Sequence, residues 1–427
     1  MTDLKKMYRT VMDDHFPPEM TISFGDQKLV YRKRAWNIDE NGETIEKGLR
    51  YGENPGQEAA LYELVSGGLT LGDCEFIRPG LGLASALDET NLLQFGKHPG
   101  KTNLTDLDNA ANILRYLEPR PACAIMKHNN PSGVAYGDSA AEAYDRANAA
   151  DRLAAFGGAA VLNVPLTKET AELMKDNYLE LVAAPEYEEG AVAFLAGRKN
   201  LRIVRLPRLA EIRGYAPRRF VEFKSLIDGG IIVQQSPLNR IRGAADFLPA
   251  AVTDKQGVET RIKRQPTERE MADLLFGWSV EQGVTSNSVI FVKDGATVGI
   301  GTGEQDRVGV AEIAIFKAYK KYSDNLSFLR HGCLFFELEL KIQAGEIPPE
   351  AATEIEALAK EMHGGIKGSV AVSDAFFPKR DGVDACIKEG ATAIVQPGGS
   401  LADKEVIEVC NEAGVAMVFT GQRAFRH

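Results

Sequence analysis

The sequence predicts an α/β protein assembled from two units of alternating helix and strand. Three observations carry that expectation. At 427 residues the chain has room for two or three folding units of about 150 residues. Its composition, 44% hydrophobic, 26% charged and 8% aromatic, is that of a chain that packs a core, which excludes disordered and fibrous classes. Short apolar runs alternate with stretches of helical spacing from Thr105 onward, interrupted by a Pro, Arg and Gly-bearing stretch at 207–219.

Residues 1–46 read as a mixed lead-in. From Thr105, the residues Leu107, Ala110, Ala111, Ile113, Leu114 and Leu117 fall at helical spacing behind a Thr-Asp cap, and Pro119 and Pro121 end the helix. The run Ala122 to Met126 predicts a buried strand, leading into Lys127, His128 and the turn-forming Asn129-Asn130-Pro131-Ser132-Gly133. The same rhythm gives helix 138–150, strand 159–163, helix 167–176, strand 179–184, helix 188–197 and strand 201–206. Strands joined by crossover helices predict a mostly parallel sheet with ligands at its carboxyl ends. The second series holds an apolar strand at Gly230 to Val233 and a helix from Glu268 to Gln282. Paired strands, Val289 to Lys293 and Thr297 to Thr302, flank the turn Asp294-Gly295. A long helix to about Tyr322 precedes a polar helical segment, 325–367. The tail alternates helix 382–389, strand 392–396, helix 403–413 and strand 415–419.

Charge and cysteine usage narrow the function. With 50 basic and 60 acidic residues, a net charge of -10 disfavours nucleic acid as a partner, so any small anion must be held by a few placed Arg and Lys side chains. Five scattered cysteines with no C-x-x-C indicate neither a disulfide framework nor a zinc ribbon. No stretch approaches the roughly 18 apolar residues of a membrane span, and the first residues carry no secretory pattern, so a cytoplasmic location and no membrane partner are expected. Gly299-Ile300-Gly301-Thr302-Gly303 fails as a dinucleotide loop because Glu304 stands where the third glycine belongs. P-loop, serine-hydrolase and zincin motifs are missing, which favours metal-free chemistry.

Several segments carry candidate chemistry beside a plainer structural reading. Lys127 and His128 stand where a strand gives way to a turn. A Lys can stabilise an oxyanion and a His can act as a general base, but neighbours on a strand point to opposite faces, so both serve one pocket only if the backbone leaves β geometry between them. A solvated Lys and a capping His is the plainer account. Arg50-Tyr51-Gly52-Glu53-Asn54-Pro55 is either a phosphate cradle or a surface turn. In Ser373-Asp374-Ala375-Phe376-Phe377-Pro378 the aromatics form the wall of a flat-ring site or a core. Gln396-Pro397-Gly398-Gly399-Ser400 either binds an anion or caps a helix. The basic ending Gly421 to His427 is either functional or frayed.

Taken together, these segments resemble AICAR transformylase, the formyltransferase half of a bifunctional purine-biosynthesis enzyme. The resemblance runs from Leu49-Arg50-Tyr51-Gly52-Glu53-Asn54-Pro55 to His427. It includes Lys127 to Gly133, Ala155-Phe156-Gly157-Gly158, Thr285-Ser286-Asn287-Ser288, Gln305-Asp306-Arg307, Ser373 to Pro378, Gln396 to Ser400 and Phe425-Arg426-His427. It implies two cytidine-deaminase-like α/β subdomains, a duplicated unit without zinc: 50–206 with the helical segment 325–367, then 207–324 with 368–427, after a lead-in 1–49. It implies formyl transfer from the co-substrate 10-formyltetrahydrofolate to the 5-amino group of 5-aminoimidazole-4-carboxamide ribonucleotide. Lys127 and His128 are then the catalytic pair, and Asn287 positions the amine and carboxamide. Arg50, Tyr51 and Arg423 hold the phosphate region, with Gly157 and Glu180 near the nucleotide. Arg307, Phe376, Pro378, Asp381, Ser400 and His427 complete the folate and nucleotide pockets. The resemblance further implies a homodimer whose sites take Lys-His and Asn-Phe groups from different subunits, and a monovalent cation, potassium, near 281–288.

Departures qualify the resemblance. Only 49 residues precede Arg50, too few for the cyclohydrolase domain, so ring closure is not expected of this chain. Ala84-Ser85-Ala86-Leu87-Asp88 stands where many relatives have an Asn-Asn pair, which puts one nucleotide contact in question. The Arg-rich segment 207–225 has no role assigned. A paralogue that binds purine intermediates as a sensor is the alternative, and retention of Lys127, His128 and Asn287 argues against it.

Overall fold

The apolar run after Pro121 forms the strand Ala122–Lys127, and the next segment of chain, Asn130–Tyr136, pairs back on it antiparallel with Asn130 opposite Lys127. The expected turn at 129–133 is therefore mostly strand. His128 and Asn129 make the whole reversal, and a register shift between Pro131 and Gly133 absorbs the proline, which has no N–H to give to a ladder.

A computed structural model describes residues 7, 8, 10–40, 42–72 and 74–427; of the expected lead-in, 1–6, 9 and 41 lie outside the described residues. The chain separates into two units, Met1–Ala111 with Ala159–Leu238, and Asn112–Gly158 with Asn239–His427. The sheet of the second unit follows the order Leu248–Pro249, Ala416–Phe419, Ala393–Gln396, Val370–Ser373, Val289–Lys293, Ala296–Gly301, Asn130–Tyr136, Ala122–Lys127. Val370–Ser373, Ala393–Gln396 and Ala416–Phe419 run parallel through crossover helices, whereas both hairpins are antiparallel because a two-residue turn can join strands in no other way. A mixed sheet thus replaces the mostly parallel one expected. Beneath it, Val289, Phe291, Val310, Phe377, Ile394 and Met417 share one core.

The helix Arg307–His331 starts where Asp306 accepts from the Gly309 N–H and stops at Gly332 in the left-handed region. It is longer than its pattern suggested, because the segment 325–367 continues it and packs beside it. Phe335–Gln343 and Glu350–Glu361 close a small core of Cys333, Leu338 and Ile355, and the Asp324 carboxylate accepts from the Phe335 N–H. That segment lies in the second unit.

In the first unit the strand order is Gly158–Leu162, Leu179–Ala184, Arg202–Arg205, Leu92–Gln94, with Leu179–Ala184 and Arg202–Arg205 parallel. Part of the lead-in is strand: Glu19–Phe24 and Gln27–Arg34 pair antiparallel, and Leu61–Gly67, further along the chain, adds to Gln27–Arg34 around Leu29, Leu69 and Phe76. The apolar segment near Gly230 forms the strand Ile231–Gln235, but it pairs only with Val221–Ser225 in a two-stranded ribbon, and Ile231, Ile232 and Val233 are exposed. Among the described residues no helix is long and apolar enough to cross a membrane, and no group of three or more His, Cys, Asp or Glu could hold a metal ion.

The glycines of Gly299-Ile300-Gly301 have a packing explanation. A Cβ at Gly299 would lie 2.5 Å from the Ala314 carbonyl oxygen and one at Gly301 only 2.2 Å from that of Val310, so both let a strand approach the helix Arg307–His331 closely. Gly301→Ala is expected to lower unfolding free energy by about 1–3 kcal/mol in denaturant titration, since strand and helix must separate; unchanged stability would contradict this packing.

Candidate active site

Five consecutive side chains, Ala122 to Met126, are fully buried, which fixes the strand that ends at Lys127. With Asn130 opposite Lys127, only His128 and Asn129 remain to reverse the chain, at φ of 53° and 63°. Two successive left-handed residues are the turn whose twist suits a two-residue hairpin. Asn and His are among the non-glycine residues that tolerate this region best. The backbone therefore leaves β geometry between Lys127 and His128, as a shared role for the two requires. His128 is exposed, and the half-buried Lys127 Nζ donates to the Gly157 carbonyl oxygen at 2.9 Å.

Asn130 ties this turn to a second one in the same unit. Its Oδ1 accepts from the Thr285 N–H at 2.9 Å and from the Thr302 hydroxyl at 3.1 Å. Asn287 follows, with its Nδ2 donating to the Gln305 carbonyl at 2.9 Å and its Oδ1 accepting from Arg307 Nη2 at 3.0 Å. A guanidinium has no acceptor and a carbonyl no donor, so these two partners fix which way the Asn287 amide points. Arg307 is itself buried, donating through Nη1 to the Ser288 carbonyl at 2.8 Å, the Ser373 hydroxyl at 3.1 Å and the Asp374 carboxylate. Its guanidinium is committed to holding Asn287 and Asp374.

Behind this cluster lies Glu281, wholly buried, whose carboxyl accepts from the Ser288 hydroxyl at 2.9 Å. Burial, together with the nearby Asp374, pushes its pKa well above the usual carboxylate range. Glu281 Oε2 and Asp374 Oδ2 are both buried without a hydrogen-bond partner.

Elsewhere in the second unit, Phe376 and Pro378 are exposed while Phe377 is core, its N–H bound to Gln396 Oε1 at 2.9 Å. Asp381 is exposed at the start of the helix Asp381–Lys388. The Gly399 and Ser400 N–H groups are occupied by the Asp403 carboxylate, at 2.6 and 3.0 Å, so the first residue of the helix Asp403–Ala413 holds the turn at 396–400, which does not itself cap that helix. Arg423 stacks over Phe425, whose ring meets His427 edge-on with centroids 5.7 Å apart.

The first unit gathers Arg50, Tyr51 and Glu180. Arg50 is buried over the Tyr51 ring, 4.6 Å from its centroid, and its Nε has no hydrogen-bond partner. Between Arg50 and Glu180 in the charge balance stands Arg202, fully buried in a strand. It donates to the Glu180 and His98 carbonyl oxygens at 3.1 Å each and approaches the Glu180 carboxylate at 3.7 Å. Burial and then the neighbouring Arg50 lower its pKa to about 10. Asn103 donates to the same carboxylate at 3.0 Å from the helix Lys101–Leu114. Sequence reasoning missed both Arg202 and Asn103. The signal for Arg202 was a cation inside an apolar strand; Asn103 sits where the helix starts, four residues ahead of the periodicity that announced it. Ala84–Ala86 forms a short 3-10 turn, and the Ser85 carbonyl takes Arg34 Nε.

Fold and geometry define an α/β protein of mixed sheets with two buried arginines, Arg50 and Arg202, beside the half-buried Glu180 carboxylate, and an oriented Asn–Arg–Asp cluster. The chain belongs to the AICARFT/IMPCHase bienzyme family, whose model matches residues 24–317. It is 39% identical over 386 residues to the bifunctional purine biosynthesis protein PurH of Cereibacter sphaeroides, covering 90% of this chain and 60% of that protein. PurH of Rhodospirillum rubrum is 39% identical over 384 residues, again 90% and 60%, and PurH of an Anaeromyxobacter species 38% identical over 381 residues, 89% and 59%. The chain thus spans about three fifths of the length of the curated relatives it matches.

Arg307→Met leaves Asp374 charged, buried and unpaired, and is expected to cost about 3–5 kcal/mol in unfolding experiments. Adding Asp374→Asn should restore part of that loss; strictly additive effects would contradict the pairing.

Proposed function

We propose that the chain transfers a formyl group from 10-formyltetrahydrofolate to the 5-amino group of 5-aminoimidazole-4-carboxamide ribonucleotide, giving the formamido ribonucleotide and tetrahydrofolate. The observation that carries the reading is the left-handed turn at His128–Asn129, which frees the imidazole from strand alternation while Lys127 stays tethered to Gly157. Membership of the family and likeness to purine biosynthesis proteins support it.

The chemistry follows from a poor nucleophile. The lone pair of the 5-amino group is shared with an imidazole carrying an electron-withdrawing carboxamide, so a proton must leave as the new bond forms. His128 accepts that proton as the amine nitrogen bonds to the formyl carbon. Lys127 stabilises the tetrahedral oxyanion and gives a proton to the folate nitrogen as its bond to the formyl carbon breaks. Each role contributes about 10²–10⁴ in rate. Asn287 orients the amine and carboxamide and does not ionise. Arg50, Tyr51 and Arg423 take the phosphate; the pair Arg50 and Arg202 against the single carboxylate of Glu180 leaves positive charge for an anion to neutralise. Gly157, Phe376, Pro378, Asp381, Ser400 and His427 complete the nucleotide and folate pockets, and Arg307 contributes by holding Asn287.

The reading extends to a monovalent cation and to a second copy of the chain. The partnerless buried oxygens of Glu281 and Asp374 are donors that fit a cation near 281–288; it would supply fixed positive charge there, and no step passes through it. Sites shared between two copies place Lys127 and His128 of one beside Asn287 of the other.

Turnover is read from absorbance as tetrahydrofolate appears on mixing the chain with the ribonucleotide and 10-formyltetrahydrofolate. His128→Ala is expected to lower kcat about 10²–10⁴-fold while both substrates still bind; near-normal activity overturns the assignment. Lys127→Ala and Asn287→Ala, each inactive alone, should recover partial activity when unfolded and refolded together, because a mixed dimer with shared sites contains one intact site. No recovery would argue for sites held within one chain.

A further inference from the structure

The two turns that carry the proposed chemistry, His128–Asn129 and the turn leading to Asn287, are joined through one side chain that the mechanism does not use. Arg426 lies two residues beyond the apolar Ala424, which is buried and whose N–H donates to the Asp374 carbonyl at 2.9 Å. From there its guanidinium reaches both turns. Nη1 donates to the Asn129 carbonyl oxygen at 3.1 Å and to the Gly283 carbonyl oxygen at 3.3 Å, while Nη2 donates to Asn129 Oδ1 at 3.2 Å. Its backbone closes a second ring on the Asn287 side: the Arg426 N–H donates to the Ser286 hydroxyl at 3.0 Å, and the Ser286 N–H donates to the Arg426 carbonyl at 2.9 Å.

We propose that Arg426 is a positioning residue for formyl transfer, fixing the His128–Asn129 turn against the turn that presents Asn287. This rests on the function proposed above, and Arg426 itself touches no reacting atom.

The argument is geometric. A left-handed His followed by a left-handed Asn is a sparsely populated backbone arrangement that persists only where its surroundings over-determine it. Asn129 is held by both its main-chain and its side-chain oxygen, so the turn cannot rotate its peptide without breaking two charge-assisted bonds. The same guanidinium holds Gly283, four residues before Asn287. A planar fork holds three oxygens from two loops in a fixed geometry; an ammonium has three rotatable donors on a flexible stem and lacks that pre-organisation. In a dimer with shared sites the turns serve two different sites, and Arg426 fixes each in its own.

The test compares steady-state kinetics of the whole chain with Arg426→Ala and Arg426→Lys. Displacement of a catalytic group by about 1 Å can cost 10²-fold in rate, so Arg426→Ala is expected to lower kcat about 30- to 100-fold with KM for both substrates within about threefold. Arg426→Lys should not rescue it, whereas free guanidinium ion in the tens of millimolar should restore part of kcat to the Ala variant and none to the wild type. A purely structural role would lower melting temperature and active fraction without guanidinium rescue, and a substrate-binding role would raise KM; either result overturns the proposal. Should Arg426→Ala fail to fold, Arg426→Lys decides: wild-type kcat in that variant overturns it. A wild-type chain that never turns over overturns the functional reading and the positioning role with it. Normal wild-type turnover with unaffected Arg426 variants removes the positioning role alone.

Discussion

A chain reversal in only two residues is the constraint on which the site depends. Once Ala122 to Met126 are buried and Asn130 is set opposite Lys127, no residue other than His128 and Asn129 can make the turn, and both must take left-handed backbone. Such conformations cost of order 1–3 kcal/mol each outside glycine. The second hairpin of the unit makes the same reversal at Asp294–Gly295, where glycine removes part of that cost and the Asp273 carboxylate accepts both turn N–H groups, at 2.9 and 2.7 Å. One geometry is thus built twice: with Asp-Gly at one hairpin, and with His-Asn, its imidazole exposed, at the other.

Buried charge is arranged differently in the two units. In the first, Arg202 approaches the Glu180 carboxylate beside a second guanidinium, Arg50, and burial first, then Arg50, lower the Arg202 pKa to about 10. In the second, one guanidinium, Arg307, faces two carboxyls, Asp374 and Glu281, and burial together with Asp374 holds the Glu281 pKa well above the usual carboxylate range. The first arrangement suits an incoming anion. The second yields a rigid support for the Asn287 amide, held through Arg307 Nη2.

How much was legible in the sequence follows from which signals are local. Strands such as Leu179–Ala184 and the hairpin at Asp294–Gly295 were legible because period and turn chemistry lie in consecutive residues. The strand Ile231–Gln235 was legible as a strand but not as an exposed ribbon, because burial depends on what packs against it. The extent of the helix Arg307–His331 was hidden because its later turns hold their core contacts against helices further along the chain. At the site, the types and order of Lys127, His128 and Asn287 were readable. Arg202, Asn103 and the hold of Arg426 were not, since each acts on a residue tens to hundreds of positions away.

The account is tested most directly by a crystal structure of the chain with the ribonucleotide and a non-reactive folate bound. The account requires the 5-amino nitrogen to lie within hydrogen-bonding reach of a His128 ring nitrogen, about 3 Å, with the Lys127 ammonium beside the formyl position. A nucleotide seated with its amine away from every His128 imidazole in the assembly would contradict it.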